Sequence, residues 1–164
     1  MLTLGIDPGT AILGWGLVEE NDDGLKLRSY GCVKTSSKMT ASQRLGMLHS
    51  ELKSIIKRYK PNHLAVEKLF FGANAKTAIS VGQAMGVVLL VAAEEALPVA
   101  EYTPLQVKIA ATGYGRADKN QMQQMVKTLL RLTEIPKPDD AADALAVAIC
   151  HLNSYKVEGR QRAC

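Results

Sequence analysis

The chain has 164 residues, 47% of them hydrophobic and 22% charged, with a formal net charge of +4 and a pI near 9.0. That length suits one domain able to bury a core unaided, and the composition excludes a disordered or fibrous chain. The excess of basic residues points only modestly toward a polyanionic partner.

"LTLGID" (Leu2 to Asp7) has the look of a short apolar strand. "PG" at Pro8 and Gly9 turns it into a second strand, "AILGWGLVEE", and "NDDG" at Asn21 to Gly24 turns that into a third, "LKLRSYGCVKT". Three strands joined by short turns predict an antiparallel meander. Leu45, Leu48, Leu52, Ile55 and Ile56 then recur at helical spacing from about Ser42 to Tyr59, before Pro61. "HLAVEKLFF" supplies a buried strand with Glu67 at its end, followed by a long apolar helix around Lys76 to Ala96 and a fifth strand, "PVAEY". Further helices are expected from about Pro104, from Asp118 to Leu132 and from Ala141 onward. The last residues, 156–164, are polar and basic and are expected to fray as a flexible tail beyond a single domain of residues 1–155. Strands in a run, then strands alternating with helices, predict an α/β sandwich built on one mixed sheet.

Cys32, Cys150 and Cys164 lie far apart with no CxxC pair, so neither a disulfide framework nor a zinc site is indicated, and a reducing cytoplasm fits best. No signal sequence is expected at the N-terminus, which enters a strand pattern within two residues. The longest uncharged run, Thr77 to Ala93, falls short of the roughly 20 apolar residues that cross a bilayer. "GTAILGWG" has Trp15 where a P-loop needs lysine, and "GWGLVE" and "GYGRAD" lack the third glycine of a dinucleotide loop. His49, His63 and His151 are scattered and are expected to be surface or structural residues.

The acids carry more information. Asp7 and Glu67 each close an apolar strand, at the sheet edge where α/β folds bind ligands. Asp140 and Asp143, at i, i+3 spacing, share one face at the start of a helix otherwise made for burial: "DDAADALAVAIC". Like charges gathered there would each cost several kcal/mol in lost hydration unless cations join them. Oxygen-only ligands select Mg²⁺, with Mn²⁺ as a substitute. Two such ions roughly 3.5 to 4 Å apart can activate water and stabilise a leaving oxygen at phosphorus. Asp139 suits an N-cap, and is a second candidate ligand beside Asp140.

With "LGIDPGT" at Leu4, "AVEKLFF" at Ala65 and "DDAADALAVAI" at Asp139 in this order, the chain resembles the RuvC family of Holliday junction resolvases from about Leu4 to Ile149. The segments "NAKTAISVGQAMGV" and "QVKIAATGYGRADKNQMQQMV" belong to the same resemblance. It implies an RNase H-like fold, with a mixed five-stranded sheet and helices on both faces. It also implies a homodimer, Mg²⁺-dependent nicking of two symmetric strands of a four-way DNA junction, and partnership with RuvA and RuvB. The family's catalytic carboxylates fall on Asp7, Glu67, Asp140 and Asp143. Its DNA-contacting basic residues fall on Lys108 and Lys119, and its stacking aromatic on Phe70, with Phe71 adjacent. Arg116, Lys127 and Arg131 are further candidates for phosphate contacts. Gly82 and Gly86 leave a smooth stripe on the long helix, where either the chain's own sheet or a second copy could pack. "LGIDPGT" also looks like the first phosphate loop of sugar-kinase and actin-like ATPases, but those need two such domains. A junction-binding protein without activity would need a broken carboxylate set, and all four acids are present.

Overall fold

The structure, a computed structural model, describes residues 1–69 and 75–162; of residues 75–77 and 156–162 it describes the backbone alone. Strands β1 (Leu2–Asp7), β2 (Ile12–Asn21) and β3 (Gly24–Lys34) form the expected antiparallel meander. Helix α1 (Ala41–Tyr59) leads to β4 (His63–Glu67), which runs parallel to β1, and α2 (Ala75–Glu94) leads to β5 (Val99–Tyr102), parallel to β4. The five-stranded sheet has the order β3-β2-β1-β4-β5. Helices α3 (Pro104–Thr112), α4 (Lys119–Leu129) and α5 (Asp139–Arg162) complete the chain.

Local signals explain most of the boundaries. Capping boxes open α1 (Thr40 with Gln43), α3 (Thr103 with Gln106) and α4 (Asp118 with Gln121). Left-handed residues close α1 at Lys60 and α3 at Gly113. α4 stops at Leu129, short of the expected Leu132, and Arg131 takes a positive φ just beyond it. α5 begins at Asp139, whose expected place was the cap: the Pro138 carbonyl already accepts Ala141 N–H at 3.0 Å. Nothing in "VEGRQR" forbids helix, and α5 continues to Arg162, through the segment expected to be a flexible tail.

Two cores flank the sheet. On one face Leu48, Leu52 and Ile56 of α1 and Met85, Val88 and Val91 of α2 pack on Leu4, Ile6, Leu17, Leu64 and Val66. On the other, α5 lies against the sheet, with Val107 and Ala111 of α3 and Met122 and Val126 of α4 packed over it. Held between sheet and helices, α5 is buried at every residue from Ala141 to Leu152 except Asp143. His151 is 4% exposed; its Nδ1 shares a 2.8 Å hydrogen bond with the Tyr102 hydroxyl. Its ring lies 4.9 Å from that of His63. Burial, with His63 adding to it, lowers the pKa of His151 to about 4, so this histidine is a neutral part of the core. His49 pairs with Glu94 at 3.2 Å. None of the three histidines belongs to the acid cluster.

The seat of α5 is unusually close. A Cβ at Gly5 would collide with the Ala144 carbonyl, one at Gly14 with the Asp140 carbonyl, and one at Gly16 would lie 2.6 Å from a Leu145 methyl. Four helical residues rise about 6 Å, close to the span of two strand residues, so Asp140 over Gly14 and Ala144 over Gly5 keep one register. A side chain at Gly14 must therefore lift the first turn of α5. Gly14→Ala is expected to cost about 3 kcal/mol in denaturant unfolding, the upper end for overpacking. The control Gly46→Ala, on α1 with nothing within 4 Å, should gain roughly 0.5 to 1 kcal/mol. Equal effects of the two substitutions would contradict this packing.

Candidate active site

Parallel pairing places Ile6 beside Val66, so the next residues, Asp7 and Glu67, end neighbouring strands at the same edge. Across the antiparallel pairs Asp7 lies opposite Gly14, and Gly14 opposite Cys32. Because Asp140 sits directly over Gly14, the first turn of α5 arrives beside Asp7. Asp143, one turn on, is the single residue of the buried stretch left partly open, its side chain 42% exposed. The expectation that the last helix is buried agrees with this placement.

The acids act on one another electrically. Burial pushes the Asp7 carboxyl up to about 7; Asp143, Asp140 and Glu67 push it the same way, and Lys119 opposes them. Glu67 is raised by burial and then by Asp143, against the pull of Lys108. Asp143 is raised by burial, against Lys119 and with Asp139 and Asp140 adding to the rise. Asp139 differs from the others. Hydrogen bonds from Lys119 and Gln123 hold its pKa low, and its Oδ2 lies 3.2 Å from Lys119 Nζ. Of the two adjacent acids, Asp140 is the one whose charge acts on Asp7.

Lys119 has a second role here, one that sequence patterning did not reveal. Its Nζ also stands 3.4 Å from Asp143 Oδ2. Burial works against this ammonium, yet Asp139 and Asp143 hold its pKa above the usual lysine value. Glu67, Lys108, Lys119 and Asp143 line one cleft of about 250 Å³, with Pro104, Val107, Met122 and Ala146 as its apolar walls. Arg116 is exposed on the loop between α3 and α4. Lys127 lies elsewhere, lining a separate groove with Tyr30 and Leu27. Arg131 reaches the Asp23 carbonyl at the β2–β3 turn. Phe70 and Phe71 lie outside the described residues. Cys32 is a further neighbour: burial raises its thiol, the Asp140 charge adds to the rise, and the Ala141 N–H donates to its sulfur.

The donor set suits a hard divalent cation. Asp7, Glu67, Asp140 and Asp143 offer only oxygen, and the carboxyls raised by crowding are those that a cation would return to the ionised form. One expectation is modified. Among the described residues no three His, Cys, Asp or Glu side chains are drawn tightly enough together to form a cage by themselves. Mg²⁺ does not require one, since it keeps several waters and takes one or two carboxylates beside substrate oxygens.

The family model described as "Crossover junction endodeoxyribonuclease RuvC" matches residues 3–151. The chain is 59% identical over 160 residues to the crossover junction endodeoxyribonuclease RuvC of Desulfitobacterium hafniense, covering 98% of this chain and 97% of that one. It is 54% identical over 157 residues to the RuvC of Halothermothrix orenii, covering 96% and 95%. Among solved structures, Thermus thermophilus RuvC in complex with Holliday junction substrate superposes with a TM-score of 0.91 at 38% identity, over 96% of each chain. One domain accounts for nearly the whole of each relative, which leaves the two-domain ATPase reading without support. With its fold and acid-bearing strand ends in agreement, the chain belongs to the RuvC family of crossover junction endodeoxyribonucleases.

Proposed function

We propose that the chain is a structure-selective endonuclease that resolves four-way DNA junctions by paired symmetric nicks, in homologous recombination and DNA repair. The observation that carries this reading is that Asp7 feels the charges of Glu67, Asp140 and Asp143, and that Glu67 and Asp143 line a cleft with Lys108 and Lys119. Membership of the family, and the Thermus relative solved with junction DNA, support it.

Family membership implies a divalent cation; the proposed occupants are two Mg²⁺ ions, with Mn²⁺ able to replace them. Bound there, they would supply an activated water and charge stabilisation for the leaving oxygen. Asp7, which feels each of the other three acids, would hold the ions jointly with Glu67, Asp140 and Asp143. Asp140 and Asp143 approach from the helix side and Glu67 from the neighbouring strand. Lys108 and Lys119 place positive charge where a phosphate entering the cleft would lie, and Arg116 extends it along the loop, so binding should weaken steeply with salt. Lys119 Nζ, held by Asp143, is positioned to donate to a phosphate oxygen. Phe70 is the proposed stacking aromatic.

The proposed dimer forms through α2. Ile79 and Leu90 are 66% and 53% exposed, and with Gln83 and Gly86 they share one helical face. Among the described residues nothing stands within 4 Å of a Cβ placed at Gly86. The sheet is packed by the opposite face, through Met85, Val88 and Val91. Two copies related by a two-fold axis present two sites to a junction of similar symmetry. RuvA and RuvB are the proposed protein partners. Cytoplasmic residence is likewise proposed; no described helix is long and apolar enough to cross a membrane.

With a synthetic four-way junction and Mg²⁺, the parent should give paired symmetric nicks. Asp7→Asn should bind the junction but cut on the order of 10²- to 10³-fold more slowly, the scale of losing one preorganised charge-stabilising group. Asp140→Asn should fall with it, whereas Asp139→Asn, whose carboxylate faces Lys119, should stay near the parent rate. The reverse order for the adjacent pair would overturn the ligand assignment, and ATP turnover without cutting would overturn the nuclease reading. Gly86→Arg should sediment as a monomer and release unpaired single nicks; a dimer that persists would place the interface elsewhere.

A further inference from the structure

Helix α3, "PLQVKIAAT", carries apolar residues on every face, a pattern that belongs to a helix covered on all sides. Among the described residues it is covered on one side only. Val107 and Ala111 pack beneath it toward α5, while Leu105 and Ile109 stand 55% and 48% exposed and Tyr114, just past its end, 56% exposed. These three are among the most exposed large hydrophobic residues of the described chain. They are also held in place. Gly113 turns the chain with φ 74°. The Thr112 hydroxyl then accepts the Tyr114 N–H at 3.1 Å and lies 2.9 Å from the Tyr114 carbonyl. Gly115 lies so close to the helix that a Cβ there would come 2.5 Å from Leu105 Cδ1 and 3.6 Å from Ile109 Cγ1.

The electrostatic setting names the occupant. From Pro104 to Ala117 the chain contains Lys108 and Arg116 and no acid. The next acid, Asp118, is committed to its helix cap, accepting Gln121 N–H at 2.8 Å. Lys108 lines the catalytic cleft with Glu67 and Asp143, and at the helical angle of 100° per residue Leu105 and Ile109 flank it on the outward side. An apolar and aromatic surface, framed by cations at the mouth of a phosphate-cleaving cleft, fits the face of a nucleobase whose phosphates are held by those cations.

We infer that Tyr114, with Leu105 and Ile109, forms a stacking ledge that takes one unstacked nucleotide of the bound strand beside the phosphate being cut. The ledge rests on the nuclease reading and adds to it a residue that positions the strand. Near a crossover, where strands change helix, a base leaves the stack at lower cost than in continuous duplex, and the ledge receives it.

The test uses the full chain and a four-way junction carrying 2-aminopurine at each position flanking the scissile phosphate in turn. On Asp7→Asn protein, one position should change its fluorescence on binding. Adding Tyr114→Ala should abolish that change, and adding Tyr114→Phe should preserve it. In the cutting-competent protein, Tyr114→Ala should lower the rate by roughly 5- to 100-fold, the scale of one lost base–aromatic stack, with the thermal midpoint unmoved and Tyr114→Phe restoring the rate. Unchanged cutting and fluorescence in Tyr114→Ala would overturn the ledge and leave this face to a protein partner. A parent that neither binds nor cuts the junction would instead remove the nuclease reading, and the ledge with it.

Discussion

The closeness of α5 to the sheet governs everything at the site. Gly5 and Gly14 leave no side chain between strand backbone and helix backbone, Gly16 makes room for Leu145, and the alanines at 141, 142, 144, 146 and 148 keep the helix equally slim. Larger residues on either surface would hold the elements about 10 Å apart, as in ordinary layer packing. At that distance the first turn of α5 could not bring two carboxylates beside the end of β1. A tightly seated helix, apolar through the rest of its buried stretch from Ala141 to Leu152, thus delivers its acids at one end.

That delivery creates a cost, and the cost explains the composition of the site. Each acid loses hydration and gains like-charged neighbours, and the Asp7 carboxyl rises to about 7 as a result. Lys119 offsets part of this from α4, and Lys108 acts on Glu67 from α3. A divalent cation offsets far more, since two charges placed among oxygen donors favour every ionised carboxylate together. The lysines have a second use, because phosphate must approach the same place, and a cleft whose acids were unopposed would repel it.

Much of this was legible in the residue pattern. Turn dipeptides delimit the meander, and two apolar runs each end in an acid, but that these two strands lie side by side and parallel is a fact of the fold. The i, i+3 spacing of Asp140 and Asp143 places them on one helix face without coordinates. What stayed hidden depends on contacts between elements distant in sequence. Lys119 reads as a surface base at the start of α4, and only the packing of α4 on α5 brings it to Asp139 and Asp143. Cys32 reaches the rim through strand register. Gly14 reads as one strand glycine among several until the helix above it is seen, and what separates Asp140 from Asp139 is that its charge acts on Asp7. The outward face of α3 looks in sequence like any other core helix, since periodicity cannot tell which covering element is missing.

The account stands or falls on divalent ions being held by acids from three separate elements. Anomalous scattering from crystals of the parent protein grown with Mn²⁺ tests it most directly. Manganese is expected at this edge of the sheet, held by Asp7, Glu67, Asp140 and Asp143, with Asp139 left to Lys119. Manganese absent from this edge of the sheet, or bound through Asp139 with Asp7 uninvolved, would contradict it.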